Sequence, residues 1–313
     1  MEFEQQKDSP SPLRVGLIGD PVAHSYSPRF QQAAFDACGI PTRYELWQTS
    51  AIDLPAQVAS LLAPQALGAN VTIPYKEAVL PLLDVVDPLA SRIGAVNTIV
   101  HRNEYLYGYN TDAPGLLYAL IELGVGQLLE LQYLTSLKDS FSFEGYTAVL
   151  LGAGGAARGA AFALINASVE RLVIVNRDLE RAQRLAARCS VEVQQESSCQ
   201  VFCLNDPEFL IPHQRSLIIN ATPVGMHVAG KQENSEAENA SPLSAEVLAR
   251  FPPETVVIDM VYNPTQTQLL CQARTLGLRA INGLSMLLYQ GALAFTLWTG
   301  RPAPLGVMRS ALL

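Results

Sequence analysis

The sequence predicts an α/β fold in two domains. Three observations carry that expectation. Short apolar runs alternate with stretches of helical spacing along most of the chain. Thr147-Ala148-Val149-Leu150-Leu151 is apolar without alternation, the pattern of a parallel strand covered on both faces, and it runs into a glycine-rich turn and an Ala-rich stretch. The chain has 313 residues, about twice the length of a typical domain.

Composition narrows the classes. Hydrophobic residues are 49% and charged residues 16% of the chain, which excludes a disordered tail or a coiled coil. The formal net charge of -8 argues against nucleic acid and anionic membrane as partners. An anionic ligand must then be met by local cations or backbone dipoles. The five cysteines are odd in number and lack CxxC or Cys/His metal spacing, so they read as reduced cytoplasmic thiols and no metal is expected. The start of the chain has no apolar run of a signal peptide, and no stretch of about 18 apolar residues suggests a membrane span.

Residues 1–12 read as a loose tail. Leu13 to Gly19 predicts a buried strand ending in a glycine turn, and Pro28 to Cys38 a helix stopped by Gly39. Thr42–Trp47 and Ala66–Ile73 read as strands, with a helix between them from Asp53 to Leu62. A helix is expected from Lys76 to Val85. Ala95–Val100 and Tyr105–Gly108 form a hairpin around Arg102-Asn103-Glu104. Asp112 to Leu123 is helical, and residues 127–145 read as an inserted helix or lid. After the strand at Thr147, a helix runs to about Ala167. Arg171–Val175, Leu217–Asn220 and Val256–Asp259 are strands, and Leu179–Cys189 is a helix. His227–Ser241 reads as an exposed loop, and Ser285–Trp298 as a long apolar helix.

Gly152-Ala153-Gly154-Gly155-Ala156-Ala157 fits G-x-G-x-x-A between a strand and a helix, the context in which that pattern marks a dinucleotide site. Glycines let the backbone approach a pyrophosphate, and the helix start offers N–H groups and a partial positive charge. At the end of the next strand stand Asn176-Arg177-Asp178. Arg177, with Arg181 one helical turn on, suits a ribose 2′-phosphate and favours NADP; Asp178 leaves NAD open.

Lys76, Asn97 and Asp112 are polar residues at element ends, where an α/β sheet presents its ligand crevice. A Lys and an Asp can together exchange a proton with an alcohol. Spacing alone does not pair them.

The motifs together resemble the shikimate dehydrogenase family, which includes quinate/shikimate dehydrogenases. The matching segments are Gly16 to Pro28, Gly68 to Lys76, Gly94 to Thr98, Asn110-Thr111-Asp112, Gly152 to Gly159, Asn176-Arg177, Asn220 to Met226, Asp259 to Pro264 and Asn282 to Gln290. They occur in the family's order over nearly the whole chain. The resemblance implies a substrate-binding catalytic domain of residues 12–112 and 284–313, a Rossmann NADP domain of residues 113–283, and a cleft between them. It implies reversible reduction of 3-dehydroshikimate to shikimate, a step toward chorismate and the aromatic amino acids. Ser25 and Ser27 would bind the substrate carboxylate with help from Tyr262. Thr72, Asn97 and Gln290 would hold the ring hydroxyls, and Lys76 and Asp112 would be the catalytic pair. Gly152, Ala153, Gly154, Gly155, Ala156, Asn176, Arg177, Arg181, Thr222 and Gly283 would line the cofactor. The insertion near 127–145 and Asp178, where NADP-preferring members carry a small hydroxyl residue, depart from the pattern. A quinate/shikimate enzyme using NAD and a nucleotide-binding relative without turnover are the competing readings.

Overall fold

A computed structural model describes residues 12–128, 140–196, 200–206, 210–213, 215–227 and 239–313. Residues 1–11, most of the segment 127–145 and most of the His227–Ser241 stretch therefore lie outside the described residues. The chain divides into two compact units. One holds the residues up to Tyr109 together with Ala294–Leu313, the other Asn110–Leu293.

The first unit is built on a six-stranded mixed sheet in the order β2-β1-β3-β5-β6-β4. Its strands are β1 (Leu13–Gly19), β2 (Thr42–Gln48), β3 (Ala66–Val71), β4 (Val85–Val86), β5 (Thr98–Arg102) and β6 (Tyr105–Tyr109). β1 runs parallel to both β2 and β3, while β5 is antiparallel to both β3 and β6. Ile18, Ala69, Val71, Val96 and Ile99 pack into one core with Val58 and Leu61. The β5–β6 hairpin turns at Asn103 and Glu104, both with positive φ (51° and 66°), the backbone of a turn whose twist matches its strands.

Helix α1 (Ser27–Ala37) follows β1 and ends before Gly39, whose φ of 63° only glycine adopts without cost. Its Gln32 side chain donates to Thr42 O (2.9 Å) and accepts from Tyr44 N (2.9 Å) on the outer side of β2. Helix α2 (Leu54–Ala59) continues into a 3-10 turn, Ser60–Leu62. The helix expected from Lys76 to Val85 does not form. Turns and one 3-10 turn, Leu80–Leu82, occupy that stretch, because Pro81 removes an N–H and resists a longer helix. The helix lies further on, as α3 (Pro88–Ile93). Asp87 caps it by accepting from Leu89 N and Ala90 N, and Gly94 closes it with φ 70°.

The second unit carries a six-stranded, wholly parallel sheet in the order β11-β10-β9-β12-β13-β14. The strands are β9 (Thr147–Leu151), β10 (Arg171–Val175), β11 (Gln200–Leu204), β12 (Ser216–Asn220), β13 (Val256–Asp259) and β14 (Arg279–Ile281). Numbered from β9, that order is 3-2-1-4-5-6, the doubly wound dinucleotide-binding topology. Helices α4 (Asp112–Glu122), α5 (Gly155–Asn166), α6 (Leu179–Glu196), α7 (Ala245–Leu248) and α8 (Gln268–Thr275) belong to this unit. Val149, Leu151, Ile218 and Val257 pack with Leu269 and Ala273 of α8. Two short strands, β7 (Gln127–Leu128) and β8 (Phe141–Ser142), pair antiparallel at the two ends of the inserted segment. Helix α9 (Leu284–Thr299) begins in the second unit and ends in the first, where α10 (Leu305–Leu312) completes the chain. The sequence reading missed β11, β14 and α8, which are short or half-exposed and carry a weak periodic signal.

Candidate active site

In the first unit, three loops leave one edge of the sheet. β1 and β3 are parallel neighbours, with Ile18 opposite Val71, so their carboxyl ends coincide. β5 runs the other way, with Thr98 opposite Asn70, so its start lies at that same edge. The loop after Gly19, the segment after Val71 and the turn before Thr98 are therefore neighbours. Main-chain bonds fasten them: Thr72 N to Ile18 O (2.9 Å), Asp20 N to Ile73 O (3.1 Å), Val71 N to Asn97 O (2.8 Å) and Val96 N to Lys76 O (2.7 Å). A Cβ on Gly19 would stand 2.4 Å from Thr72 Cγ2, so only glycine lets these loops meet.

This edge gathers Ser25, Ser27, Thr72, Lys76 and Asn97. Ser27 and Asn97 are buried, and Ser25, Thr72 and Lys76 are half-buried. Ser25 Oγ accepts from Ser27 N (3.2 Å), which turns the Ser25 hydroxyl hydrogen to other acceptors. Asn97 Oδ1 accepts from Thr98 Oγ1 (3.1 Å). Asn70, which the sequence reading assigned no role, holds this corner together. Its amide nitrogen donates to Asn97 O (3.2 Å) and Thr98 Oγ1 (3.2 Å), and its oxygen accepts from the Tyr44 hydroxyl (2.8 Å). The available signal was an Asn inside an otherwise apolar strand.

In the second unit, the remaining candidates stand at the carboxyl ends of the parallel strands or beside α5, where doubly wound sheets bind ligands. Gly152 has φ 108°, and a Cβ there would lie 3.0 Å from Thr222 Cγ2. Gly154 and Gly155 differ: a Cβ at either position meets no heavy atom within 4 Å. The turn thus leaves open backbone on its outer side. Gly154, the N-cap of α5, gives that helix start no side-chain cap. Bare N–H groups beside open glycines fit a pyrophosphate. Ala153 and Ala156 complete the half-buried turn.

At the end of β10, Asn176 donates from its side chain to Asp178 O (2.8 Å). The Asp178 carboxylate accepts from Arg181 N (3.1 Å) and so caps the first turn of α6, a role the sequence reading did not foresee. Arg177 and Arg181 are exposed. Gly283 donates to Val261 O (3.2 Å), and a Cβ on it would collide with Met260 O at 2.3 Å. That close approach sets Gly283 beside the loop carrying half-buried Tyr262.

Asp112 opens α4 and is 8% exposed. Asn110 Oδ1 accepts from Ala113 N (3.1 Å), fixing the helix start. α5 packs against it at Gly159, where a Cβ would come within 4.0 Å of both Asn110 Oδ1 and Asp112 Cβ. Gln290 of α9 presses on the same helix, its N 2.9 Å from the Cβ position of Gly115. Tyr118 of α4 stacks on Tyr289 (centroids 5.6 Å apart), which aligns α9 with α4. Asp112, beside α5, and Gly115, on which Gln290 of α9 presses, are three residues apart on α4 and so share one face of it.

Asp259, at the end of β13, is fully buried. Burial pushes its carboxyl above the ordinary value, opposed by hydrogen bonds from Thr267, Val261 N and Asn220. His24 is exposed, while His101 and His213 are half-buried and held by Ala66 O (3.0 Å) and Arg171 (2.8 Å). Among the described residues no group of three His, Cys, Asp or Glu side chains suits a metal, and no helix is long and apolar enough to cross a membrane.

Three family descriptions match the chain: the shikimate dehydrogenase substrate binding domain over residues 17–99, shikimate / quinate 5-dehydrogenase over 135–243, and the shikimate 5'-dehydrogenase C-terminal domain over 283–313. The shikimate dehydrogenase (NADP(+)) of Moorella thermoacetica is 44% identical over 94% of this chain and 90% of its own. That of Geobacillus kaustophilus is 40% identical over 91% of this chain and 92% of its own. The crystal structure of shikimate 5-dehydrogenase from Thermus thermophilus, in complex with NADP(H) and shikimate, superposes with a TM-score of 0.77 at 37% identity, covering 96% of this chain and 98% of that one. Matches that begin in the first strand, run through the glycine turn and end at the last helix leave one assignment: this chain belongs to the shikimate dehydrogenase family.

Proposed function

We propose that the protein is an NADP-dependent shikimate dehydrogenase that interconverts 3-dehydroshikimate and shikimate. The 44% identity to the Moorella thermoacetica enzyme over nearly the full length carries this reading. The chemistry of each unit supports it. Ser25 and Ser27 offer hydroxyl donors to a carboxylate, and Thr72 and Asn97 stand at the same sheet edge for ring hydroxyls. Tyr262 and Gln290 belong to the same substrate set. The protonated Lys76 polarises the carbonyl oxygen, stabilises negative charge as it develops there, and with Asp112 supplies the proton to the new alcohol. NADPH, when bound, supplies the hydride. The chain's part is to cradle its pyrophosphate on Gly152–Ala156 and its 2′-phosphate on Arg177 and Arg181, with Asn176, Thr222 and Gly283 along the strand ends. As proposed domains, residues 12–112 with 284–313 bind substrate and 113–283 bind cofactor. The proposed compartment is the cytoplasm.

The test is a matrix of initial rates with shikimate or quinate against NADP+ or NAD+. Shikimate with NADP+ should be fastest; no shikimate-dependent NADPH formation ends the proposal, and a quinate–NAD+ maximum favours the quinate enzyme. The Asp178 cap gives a second prediction. Serine also caps helices, so Asp178→Ser should leave α6 in place while removing a negative charge beside the phosphate. The NADP+ over NAD+ preference should rise about tenfold, one step of about 1.4 kcal/mol. An unchanged preference would show that Asp178 serves the helix alone.

A further inference from the structure

A buried polar chain links the proposed cofactor and substrate loops of the second unit. Asp259 Oδ1 accepts from Asn220 Nδ2 (2.9 Å) and Val261 N (3.0 Å), and Oδ2 accepts from Thr267 Oγ1 (2.6 Å). Asn220 Oδ1 in turn accepts from Thr222 N (3.0 Å) and Thr222 Oγ1 (2.6 Å). Thr222 Oγ1 accepts from Val224 N (3.2 Å). Asp259 and Asn220 are both fully buried.

The direction of this chain is forced. Asp259 Oδ1 already accepts from a main-chain N–H, that of Val261, so the Asn220 group facing it must be the amide nitrogen, which turns the Asn220 oxygen to Thr222. The single hydroxyl hydrogen of Thr222 then goes to Asn220. One of its two lone pairs takes Val224 N, and one is left for a ligand. Thr222 is therefore matched to a hydrogen-bond donor, an amide or ribose hydroxyl of the cofactor, and mismatched to a phosphate oxygen.

We propose that Asp259 is a positioning residue for both ligands: it sets the polarity of Asn220 and Thr222 toward the cofactor, and through Val261 N it fixes the loop that carries Tyr262. This rests on the assignment of Thr222 to cofactor and Tyr262 to substrate made above. The two branches are separable. Asn220 serves only the Thr222 branch, whereas Asp259 serves both.

Calorimetric binding of NADP+ and of shikimate, each alone, to Asn220→Ala, Asp259→Ala and Asp259→Asn tests it. Asn220→Ala should weaken NADP+ about tenfold, the loss expected for hydrogen bonds in a charge-anchored chain, and leave shikimate within about twofold. Asp259→Ala should weaken both about tenfold. Asp259→Asn should stay within about threefold for both, because its amide oxygen can keep the two acceptances at Oδ1. Should Asp259→Ala fail to fold, the selectivity of Asn220→Ala and the rescue by Asp259→Asn still decide the matter. Equal weakening of both ligands by Asn220→Ala, no weakening of NADP+, or a loss in Asp259→Asn beyond about threefold would overturn the proposal. A wild-type protein that binds neither ligand would instead sink the functional assignment.

Discussion

Lys76→Ala should lower kcat for shikimate oxidation about 10³-fold, within the range for removing a positioned proton-transfer group. The substitution is clean because bonds of the main chain and of Tyr75 hold this corner. The Lys76 carbonyl accepts from Val96 N (2.7 Å), and Tyr75 beside it is anchored by its hydroxyl on Thr49 O (2.6 Å). The backbone should therefore stay in place when the ammonium is removed. NADP+ affinity, measured by calorimetry, should not change, since the glycine turn belongs to the other unit. Asp112→Asn should also lose turnover with the cofactor still bound. A Lys76→Ala protein with undiminished kcat would remove Lys76 from the reaction.

The second large effect is on stability. Trp298 near the end of α9 is 7% exposed, donates its indole N–H to Ile99 O (2.9 Å), and lies against Phe35 and Tyr44. Gly68 makes that bond possible. A Cβ there would stand 2.0 Å from Ile99 O and 2.9 Å from Trp298 Nε1, and its φ of 146° suits glycine. Trp298→Ala should cost about 3–5 kcal/mol in urea unfolding. Gly68→Ala should cost more than about 1 kcal/mol, because β3 cannot accept a methyl without parting from β5 or from the indole. The two should be less than additive, since both destroy one arrangement. Full additivity would show that Gly68 acts on β3 alone.

Much of the fold was legible because its signals are local. The unbroken apolar run of Thr147–Leu151 needs burial on both faces, and Asn103-Glu104 suit a tight turn. The failures came where local signals competed. Lys76 to Val85 has apolar spacing, yet Pro81 interrupts it, and the stronger start and stop signals of Asp87-Pro88 and Gly94 lie just beyond. At the site, residue types and positions pointed to Lys76, Asn97, Asp112 and the glycine turn, while Ser25 and Ser27 came only from the family resemblance. The roles of Asn70 and Asp259 were hidden, because each depends on partners set by the folded chain, and Asp259 meets Asn220 from 39 residues away; the Asp178 cap is local but competes with a ribose reading of the same carboxylate. A carboxylate in sequence reads equally as a ribose ligand, a helix cap or a buried anchor. Only the donors around it decide.

The Gln32 side chain on β2 has one more consequence. β2 is an outer strand of the first sheet, a place where unpaired main-chain groups invite another molecule to zip on. Gln32 imitates a neighbouring strand for one rung, answering the Thr42 carbonyl and the Tyr44 amide with an amide of its own. An incoming chain finds that rung taken and the bulk of α1 behind it. A single glutamine thus satisfies one rung of this edge and denies it to an added strand.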